Sequence, residues 1–224
     1  MPQLSVIIPV FNEVSTIKQI LDKIIAIPID KEIIVVDDSS TDGTDKLLQS
    51  LRYENVKLIH HSSNRGKGAA FLTGLANATG EYIIMQDADL EYDPNDYLKL
   101  MVEIKNNDSG LVLGARFTEG HHGDMIPRLG NRFVTNLLNV LFGVKLNDIL
   151  TCYKILRKDT ALKLGLVSQG FFIDTEIIIK IIKNKLSIRE VPIRYNPRSY
   201  SEGKKIRARD GFAIIMGIIK YRFT

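Results

Sequence analysis

The chain has 224 residues, of which 45% are apolar and 25% charged, and its formal net charge is +4. This length and composition suit one globular domain with a full core. The single cysteine, Cys152, excludes an internal disulfide and fits a reducing compartment. No secretory leader is visible, and no apolar run approaches the roughly 18 residues that a membrane span needs.

The first half of the chain alternates buried strands with helices. Strands are expected at 4–9, 32–37, 55–61, 81–86 and 110–115, and helices at 14–27, from 66 to about 78, and from 94 onward. Strands that are apolar on both faces must be covered on both faces. The pattern therefore predicts an α/β fold in which a mainly parallel sheet has helices on both faces and binds ligands at the carboxyl ends of its strands.

The second half is less regular. Helices are expected at 131–142, 175–183 and 210–221, and a strand at 187–193. Between Arg198 and Arg209, five basic residues stand against one glutamate, so this short stretch carries the whole net charge of the chain. Such a cluster indicates a phosphate or an anionic surface as partner, and a solvated basic tail is the alternative.

Two carboxylates directly follow the strand at 81–86. Asp87 and Asp89 are spaced i, i+2 in a turn, so both can reach one hard cation, and Glu91 adds a third oxygen. Oxygen ligands that leave positions open for substrate phosphates are typical of Mg²⁺ or Mn²⁺ sites. The turn therefore predicts a divalent metal site.

Two other turns have a functional and a structural interpretation each. Asp38 follows the second strand, where it accepts hydrogen bonds from a nucleotide base or merely caps the next helix. The segment 64–68 (Asn-Arg-Gly-Lys-Gly) resembles a phosphate-cradling turn, or is a tight turn into a helix. It lacks the spacing of a P-loop and of a dinucleotide-binding fingerprint.

Taken in order, several segments resemble the family 2 inverting glycosyltransferases, and most of all their dolichol-phosphate mannose synthase and bacterial polyprenyl-phosphate branch. The segments are 10–13 (VFNE), 36–44 (VDDSSTDGT), 64–68 (NRGKG), 86–89 (QDAD), 114–117 (GARF) and 198–204 (RSYSEGK). The resemblance implies a GT-A (Rossmann-like) fold. It implies inverting transfer of a hexose from GDP-mannose or a UDP-hexose to a polyprenyl (dolichyl or undecaprenyl) phosphate, with Mg²⁺ or Mn²⁺ as cofactor.

The resemblance also assigns roles by position. The matching residues are Pro9, Phe11 and Glu13 in the nucleotide pocket, Val36 and Asp38 beside the base, Asp87 and Asp89 at the metal and diphosphate with Ala88 between them against the nucleotide, Arg116 at a phosphate, and Lys180, Arg198 and Lys204 as further basic contacts to donor or acceptor phosphate. Asp89 and Arg116 are the expected catalytic residues. Phe11 replaces a tyrosine and Glu91 a glutamine of many relatives, which leaves the donor open between GDP and UDP sugars.

The acceptor side is expected at a membrane surface. Arg116, Arg128 and Arg132 are the candidate partners of the lipid phosphate, and the apolar residues of 131–142 enter the bilayer interface or pack in the core or a dimer. A net charge of four contributes about 4 kcal/mol toward anionic lipid. We expect a cytoplasmic protein that lies peripherally at the inner face of the membrane. Stable residence there needs the apolar stretch, the lipid substrate or a membrane partner protein. No nucleic acid partner is expected.

A phosphate acceptor also changes the catalytic requirement. Its second pKa is about 6, so at neutral pH it is already mostly a dianion and needs no general base. In the second half only Asp148 stands out as a candidate base. We expect residues 1–197 to form the catalytic domain and 198–224 to add a basic segment and terminal helix to it.

Three rival functions are a transferase of the same fold for a soluble or cell-wall saccharide, a sugar nucleotidyltransferase and a non-catalytic sensor of nucleotide sugars. The nucleotidyltransferase lacks support because no Gly-rich basic loop follows the first strand. The sensor is disfavoured because the motif carboxylates and Arg116 are intact.

Overall fold

The computed structural model describes residues 1–107, 109–116, 125–198 and 208–224, without the side chains of 125–127 and 208–209. Within these residues, seven strands form one sheet with eight α-helices around it. The strands are β1 (Leu4–Val10), β2 (Lys31–Asp37), β3 (Val56–His60), β4 (Tyr82–Met85), β5 (Leu111–Ala115), β6 (Lys154–Arg157) and β7 (Ile188–Pro192). The helices are α1 (Ile17–Ala26), α2 (Thr44–Ser50), α3 (Lys67–Asn77), α4 (Tyr97–Asn106), α5 (Met125–Phe142), α6 (Lys158–Lys163), α7 (Ile173–Lys183) and α8 (Ala208–Phe223).

The strand order is β3-β2-β1-β4-β6-β5-β7. All neighbouring pairs are parallel except those of β6, which runs antiparallel to both β4 and β5. The predicted mainly parallel α/β fold is confirmed. The sequence did not predict β6 and α6, because β6 is only four residues long and begins with a lysine in place of an apolar residue.

Both faces of the sheet are covered, as the apolar strands require. In β2 five consecutive residues are buried, and alternate ones belong to different apolar clusters: Ile33 and Val35 to the main core, Ile34 and Val36 to a smaller one with Ala70 of α3. Each buried branched side chain contributes about 1.5–3 kcal/mol relative to exposure. This double burial fixes which end of each strand meets solvent.

The carboxyl ends of β1, β2 and β4 meet at one edge, and hydrogen bonds join the loops there. The Asn12 N–H donates to Ser40 Oγ (2.9 Å), and the Thr41 N–H donates to Asn12 Oδ1 (2.8 Å). Asn12 adopts φ 51°, a left-handed conformation that asparagine tolerates better than most residues. The loop after β1 is therefore held against the loop after β2, which positions Glu13.

The last helix packs on α5 and α7. Ile214 and Ile218 of α8 are buried, and the Tyr221 ring lies 5.6 Å from that of Phe172. Gly217 permits this approach, since a Cβ there would lie 2.4 Å from the Phe172 ring. Across the described ranges, no helix combines the length and apolarity that a bilayer crossing requires.

Candidate active site

An acidic cluster lies where β1 and β4 end, and one arginine bridges it. The Arg198 guanidinium pairs with Glu13 (Nη1–Oε2, 3.1 Å) and with Asp89 (Nη2–Oδ2, 2.8 Å). Its backbone N–H donates to Glu91 Oε1 at 2.8 Å. The structure therefore brings together four of the predicted residues, including two that are 185 positions apart.

Asp89 is the carboxylate of this cluster whose pKa is raised. Burial, followed by repulsion from Asp87 and Glu91, raises the pKa of Asp89 to about 7, and Arg198 offsets this only in part. Glu91 is engaged on both oxygens, because Oε2 also accepts from the Tyr195 hydroxyl at 2.9 Å. The cluster is thus short of positive charge at Asp89.

Asp87 has a different partner. Lys67, the first residue of α3, places its Nζ 2.8 Å from Asp87 Oδ1 and 3.1 Å from Asp174 Oδ2 of α7. Burial alone would raise the pKa of Asp87, but the Lys67 ammonium outweighs it and holds that pKa below its ordinary value. Asp87 therefore stays ionised beside Asp89.

Segment 64–68 is a tight turn, and two of its amides are engaged by a carboxylate of this chain. The N–H groups of Arg65 and Gly66 donate to the Asp38 carboxylate at 2.9 and 2.7 Å, and the Ala69 N–H donates to Gln169 O at 3.0 Å. These hydrogen bonds favour a tight turn into a helix over a phosphate-cradling turn, because the Asp38 carboxylate accepts from the amides that a phosphate would need. His61 Nδ1 lies 2.7 Å from the same carboxylate.

A second charged centre lies between β5 and α5. Arg116 and Asp148 form a buried bidentate ion pair, with Nε–Oδ2 at 2.7 Å and Nη2–Oδ1 at 2.8 Å. Burial would raise the pKa of Asp148, but Arg116 holds it below its ordinary value. Asn131 Nδ2 also donates to Asp148 Oδ1, at 3.1 Å. Asp148 is thus a fixed counter-ion of Arg116.

Tyr195 connects the two centres. Its ring stacks under the Arg116 guanidinium at 4.9 Å, while its hydroxyl donates to Glu91. No predicted motif includes Tyr195 or Asp174, and Lys67 was predicted only as part of the turn 64–68, because the roles of these residues arise from contacts between distant elements. The only local signal was the position of Lys67 between two glycines before a helix.

The other predicted residues are spread over the fold. Pro9, Phe11 and Ala88 lie at or beside the ends of β1 and β4, Val36 is fully buried, Arg128 and Arg132 are exposed on α5, and Lys204 lies outside the described residues. Lys180 pairs with Glu176 at 2.9 Å, lies over the Tyr221 ring and donates to Gly165 O, so the structure does not bring it to the cluster around Asp89.

No three His, Cys, Asp or Glu side chains converge as a ready metal site within the described part of the chain. The donor chemistry nevertheless suits a hard divalent cation. Asp87 and Asp89 are carboxylates of one loop, and oxygen ligands of this kind are the ones that such cations prefer. The arrangement can therefore hold Mg²⁺ or Mn²⁺ beside a diphosphate.

Comparison with known proteins agrees with this arrangement. Residues 5–165 match the model of the family described as glycosyl transferase family 2. The chain is 32% identical over 205 residues to the low-salt glycan biosynthesis hexosyltransferase Agl6 of Haloferax volcanii, covering 88% of this chain and 48% of that protein. It is 29% identical to the dolichyl-phosphate beta-glucosyltransferase of Saccharomyces cerevisiae, covering 86% and 66%. The chain thus spans about half to two thirds of the length of these relatives.

Among solved structures, glucosyl-3-phosphoglycerate synthase of Mycobacterium tuberculosis superposes with a TM-score of 0.76 at 20% identity, covering 99% of this chain and 80% of that one. That enzyme has also been crystallised with Mn²⁺, uridine diphosphate and its glucosylated product. At this identity the likeness establishes the fold alone, and it is the GT-A fold that the sequence predicted.

Proposed function

The chain belongs to glycosyltransferase family 2, and from that premise we propose that it transfers a hexose, with inversion, from a nucleotide sugar to a polyprenyl phosphate at a membrane surface. The observation that carries the acceptor is an apolar surface on α5 and α8, flanked by arginine and lysine side chains. The relationship to a dolichyl-phosphate glucosyltransferase supports the same acceptor class.

On the donor side, Asp87 and Asp89 would hold a Mg²⁺ or Mn²⁺ ion, which supplies charge neutralisation for the departing nucleoside diphosphate. Arg198 already lies against Asp89 and Glu13 and so can add a second positive charge at the same place. Lys67, 2.8 Å from Asp87 Oδ1, keeps Asp87 ionised. The donor is GDP-mannose or a UDP-hexose.

On the acceptor side, the nucleophile is a phosphate dianion that needs no deprotonation. The pairing of Asp148 with Arg116 supports this, because a carboxylate held by two guanidinium contacts is a poor proton acceptor. The requirement is instead for cations that reduce repulsion between the two anionic substrates. Arg116, Arg128 and Arg132 are the proposed phosphate partners, and a single attack from the opposite face gives inversion.

The surface for the lipid is built from two helices in contact. On α5, Leu129, Phe133 and Val140 recur at helical spacing and are 60%, 61% and 82% exposed. On α8, Phe212, Met216, Ile219 and Phe223 form a second exposed row. Arg128, Arg132, Lys220 and Arg222 are also exposed on these helices. Apolar rows flanked by cations suit insertion into the interface of an anionic bilayer.

A product assay tests the proposal. The protein is incubated with undecaprenyl or dolichyl phosphate against a panel of GDP and UDP sugars, with Mn²⁺ or with EDTA. We expect metal-dependent formation of one glycosyl lipid, with the anomeric configuration opposite to that of the donor by NMR. Transfer to soluble saccharides at equal rate, without lipid phosphate, would instead establish the rival acceptor class.

A further inference from the structure

Four side chains of alternating charge run inward from the candidate site. They begin with Asp87 and Lys67, and continue through Asp174 to Lys154, whose Nζ lies 3.1 Å from Asp174 Oδ1 and also donates to Thr151 O. The exposed fraction of the side chain falls from 27% at Asp87 to 1% at Lys154. The charge row, as we call these four residues, therefore has one end at the site and the other in the core.

The fold is shaped to hold the charge row. The beginning of α3 approaches the loop before α7 so closely that a Cβ on Gly68 would lie 2.2 Å from Ser168 O, and one on Gly66 would lie 2.6 Å from Gln169 O. Asp174 lies in the first turn of α7, where the helix dipole favours a negative charge. Lys67 at the start of α3 is thereby brought within reach of Asp87 and Asp174 at once.

Stability does not account for such a row. Well-packed apolar side chains often stabilise a core as well as a buried ion pair does, because desolvation offsets the attraction between the charges. Three of the four residues lie in the interior or close to it, and the fourth is a carboxylate of the candidate metal and diphosphate site. The location of the row at that site points to a functional role.

We propose that Asp174 and Lys154 are positioning residues for the transfer reaction: acting through Lys67, they set the orientation of the Asp87 carboxylate and the charge that it presents to a divalent cation. This inference rests on the proposed function, since it assumes that Asp87 meets a metal and a diphosphate. The observation behind it is that Lys67 pairs with Oδ1 of Asp87 and with Asp174 at the same time.

The alternating charges predict effects of opposite sign. Neutralising Asp174 leaves Lys67 drawn to Asp87 alone and leaves Lys154 uncompensated, so cation binding weakens. Neutralising Lys154 leaves Asp174 to attract Lys67 away from Asp87, so cation binding strengthens. If Asp174 and Lys154 had only a structural role, either substitution would loosen the site, and both variants would bind the cation more weakly.

The experiment is a Mn²⁺ titration followed by electron paramagnetic resonance, with and without UDP and GDP, on the whole chain. We expect Asp174→Asn to raise the Kd for Mn²⁺ about fivefold, Lys154→Met to lower it about fivefold, and the double variant to return within about twofold of the wild type. Glu81→Gln and Arg157→Met, an exposed ion pair at the opposite end of β4 and β6, are the matched controls and should leave the Kd unchanged.

The outcomes separate this inference from the function on which it rests. If the wild type binds Mn²⁺ but both single variants shift the Kd in the same direction, the positioning role is overturned and the function stands. If the wild type binds no Mn²⁺ under any of these conditions, the metal assignment fails and this inference fails with it. Circular dichroism confirms folding, and Lys154→Gln replaces Lys154→Met if the latter does not fold.

Discussion

At the scale of single residues, ion pairs decide what each charged side chain can do. Arg198 and Arg116 are both arginines that the sequence assigned to phosphate binding, yet their surroundings differ. Arg198 is shared among carboxylates that belong to the site, whereas the Arg116 guanidinium forms a bidentate ion pair with the buried Asp148 and stacks on Tyr195. The sequence could identify both arginines but not their partners, since Asp148 is 32 residues from Arg116 and no local pattern links them.

Asp89 provides the first test at this scale. Asp89→Asn keeps the size of the side chain and an oxygen that can accept the Glu91 N–H, but removes the charge. We expect turnover to fall about 100-fold, because a charge that stabilises the leaving group is lost, while the fold is kept. Asp93→Asn, in the same loop and paired with Arg194, is the control. Normal turnover of Asp89→Asn, with unchanged sensitivity to EDTA, would remove Asp89 from the metal site.

Asp148 provides the second test. Asp148→Asn leaves Arg116 buried with its ion pair broken, so the free energy of unfolding should fall by about 3–5 kcal/mol. The folded pKa of Asp148 lies below its ordinary value, so its contribution is full at neutral pH and is lost as the pH falls through that folded pKa. Urea unfolding from pH 7 to pH 2 should therefore show a shallower acid decline in the variant. Equal stability of both proteins at pH 7 would contradict this role.

At the scale of elements, α5 and α8 combine a buried face with an exposed apolar one. The sequence predicted α5 only from residue 131, because Pro127 and Gly130 obscured its first turns, whereas the structure begins it at Met125. It left open whether the apolar residues pack in the core or lie on the surface, and the structure has both kinds: Leu138 is fully buried and Val140 is 82% exposed. These two apolar residues are only two positions apart in the sequence, so composition could not tell which one is buried and which one is exposed.

A charge on the exposed face tests the membrane contact. Phe133→Glu should reduce binding to vesicles that contain anionic lipid by about tenfold, because one buried aromatic ring is lost and a like charge is added. Val102→Glu, on α4 and 57% exposed, is the matched control. Sedimentation with vesicles measures both. Point variants are preferable to removing α8, whose Ile214 and Ile218 complete the core. Equal binding by both variants would move the lipid contact away from α5.

At the scale of the whole molecule, the sequence predicted the sheet far better than the contacts across it. Apolar runs identified six of the seven strands, from β4 and β5, in which every residue is buried, to β3 and β7, whose residues are at most half-buried. The strand that escaped, β6, contains Lys154, whose burial depends on Asp174. Lys67 shares Asp174 with Lys154, and Tyr195 reaches Glu91 by a separate hydrogen bond. The missed strand and the missed partners of these residues therefore have one cause: polar contacts that form only in three dimensions.

The position of β6 has a consequence for the order of folding. The four neighbouring strands β3, β2, β1 and β4 come from the first 85 residues, whereas β5, β6 and β7 come from residues 111–192, and β6 alone pairs the two groups in the described sheet. Pairing that closes a long stretch of chain is entropically slow. We therefore expect the amides of β1 and β2 to gain protection early in pulsed hydrogen exchange, and those of β6 last. The buried charge of Lys154 would then reach Asp174 only when the two halves of the sheet join, which makes the arrival of β6 the step that completes the protein.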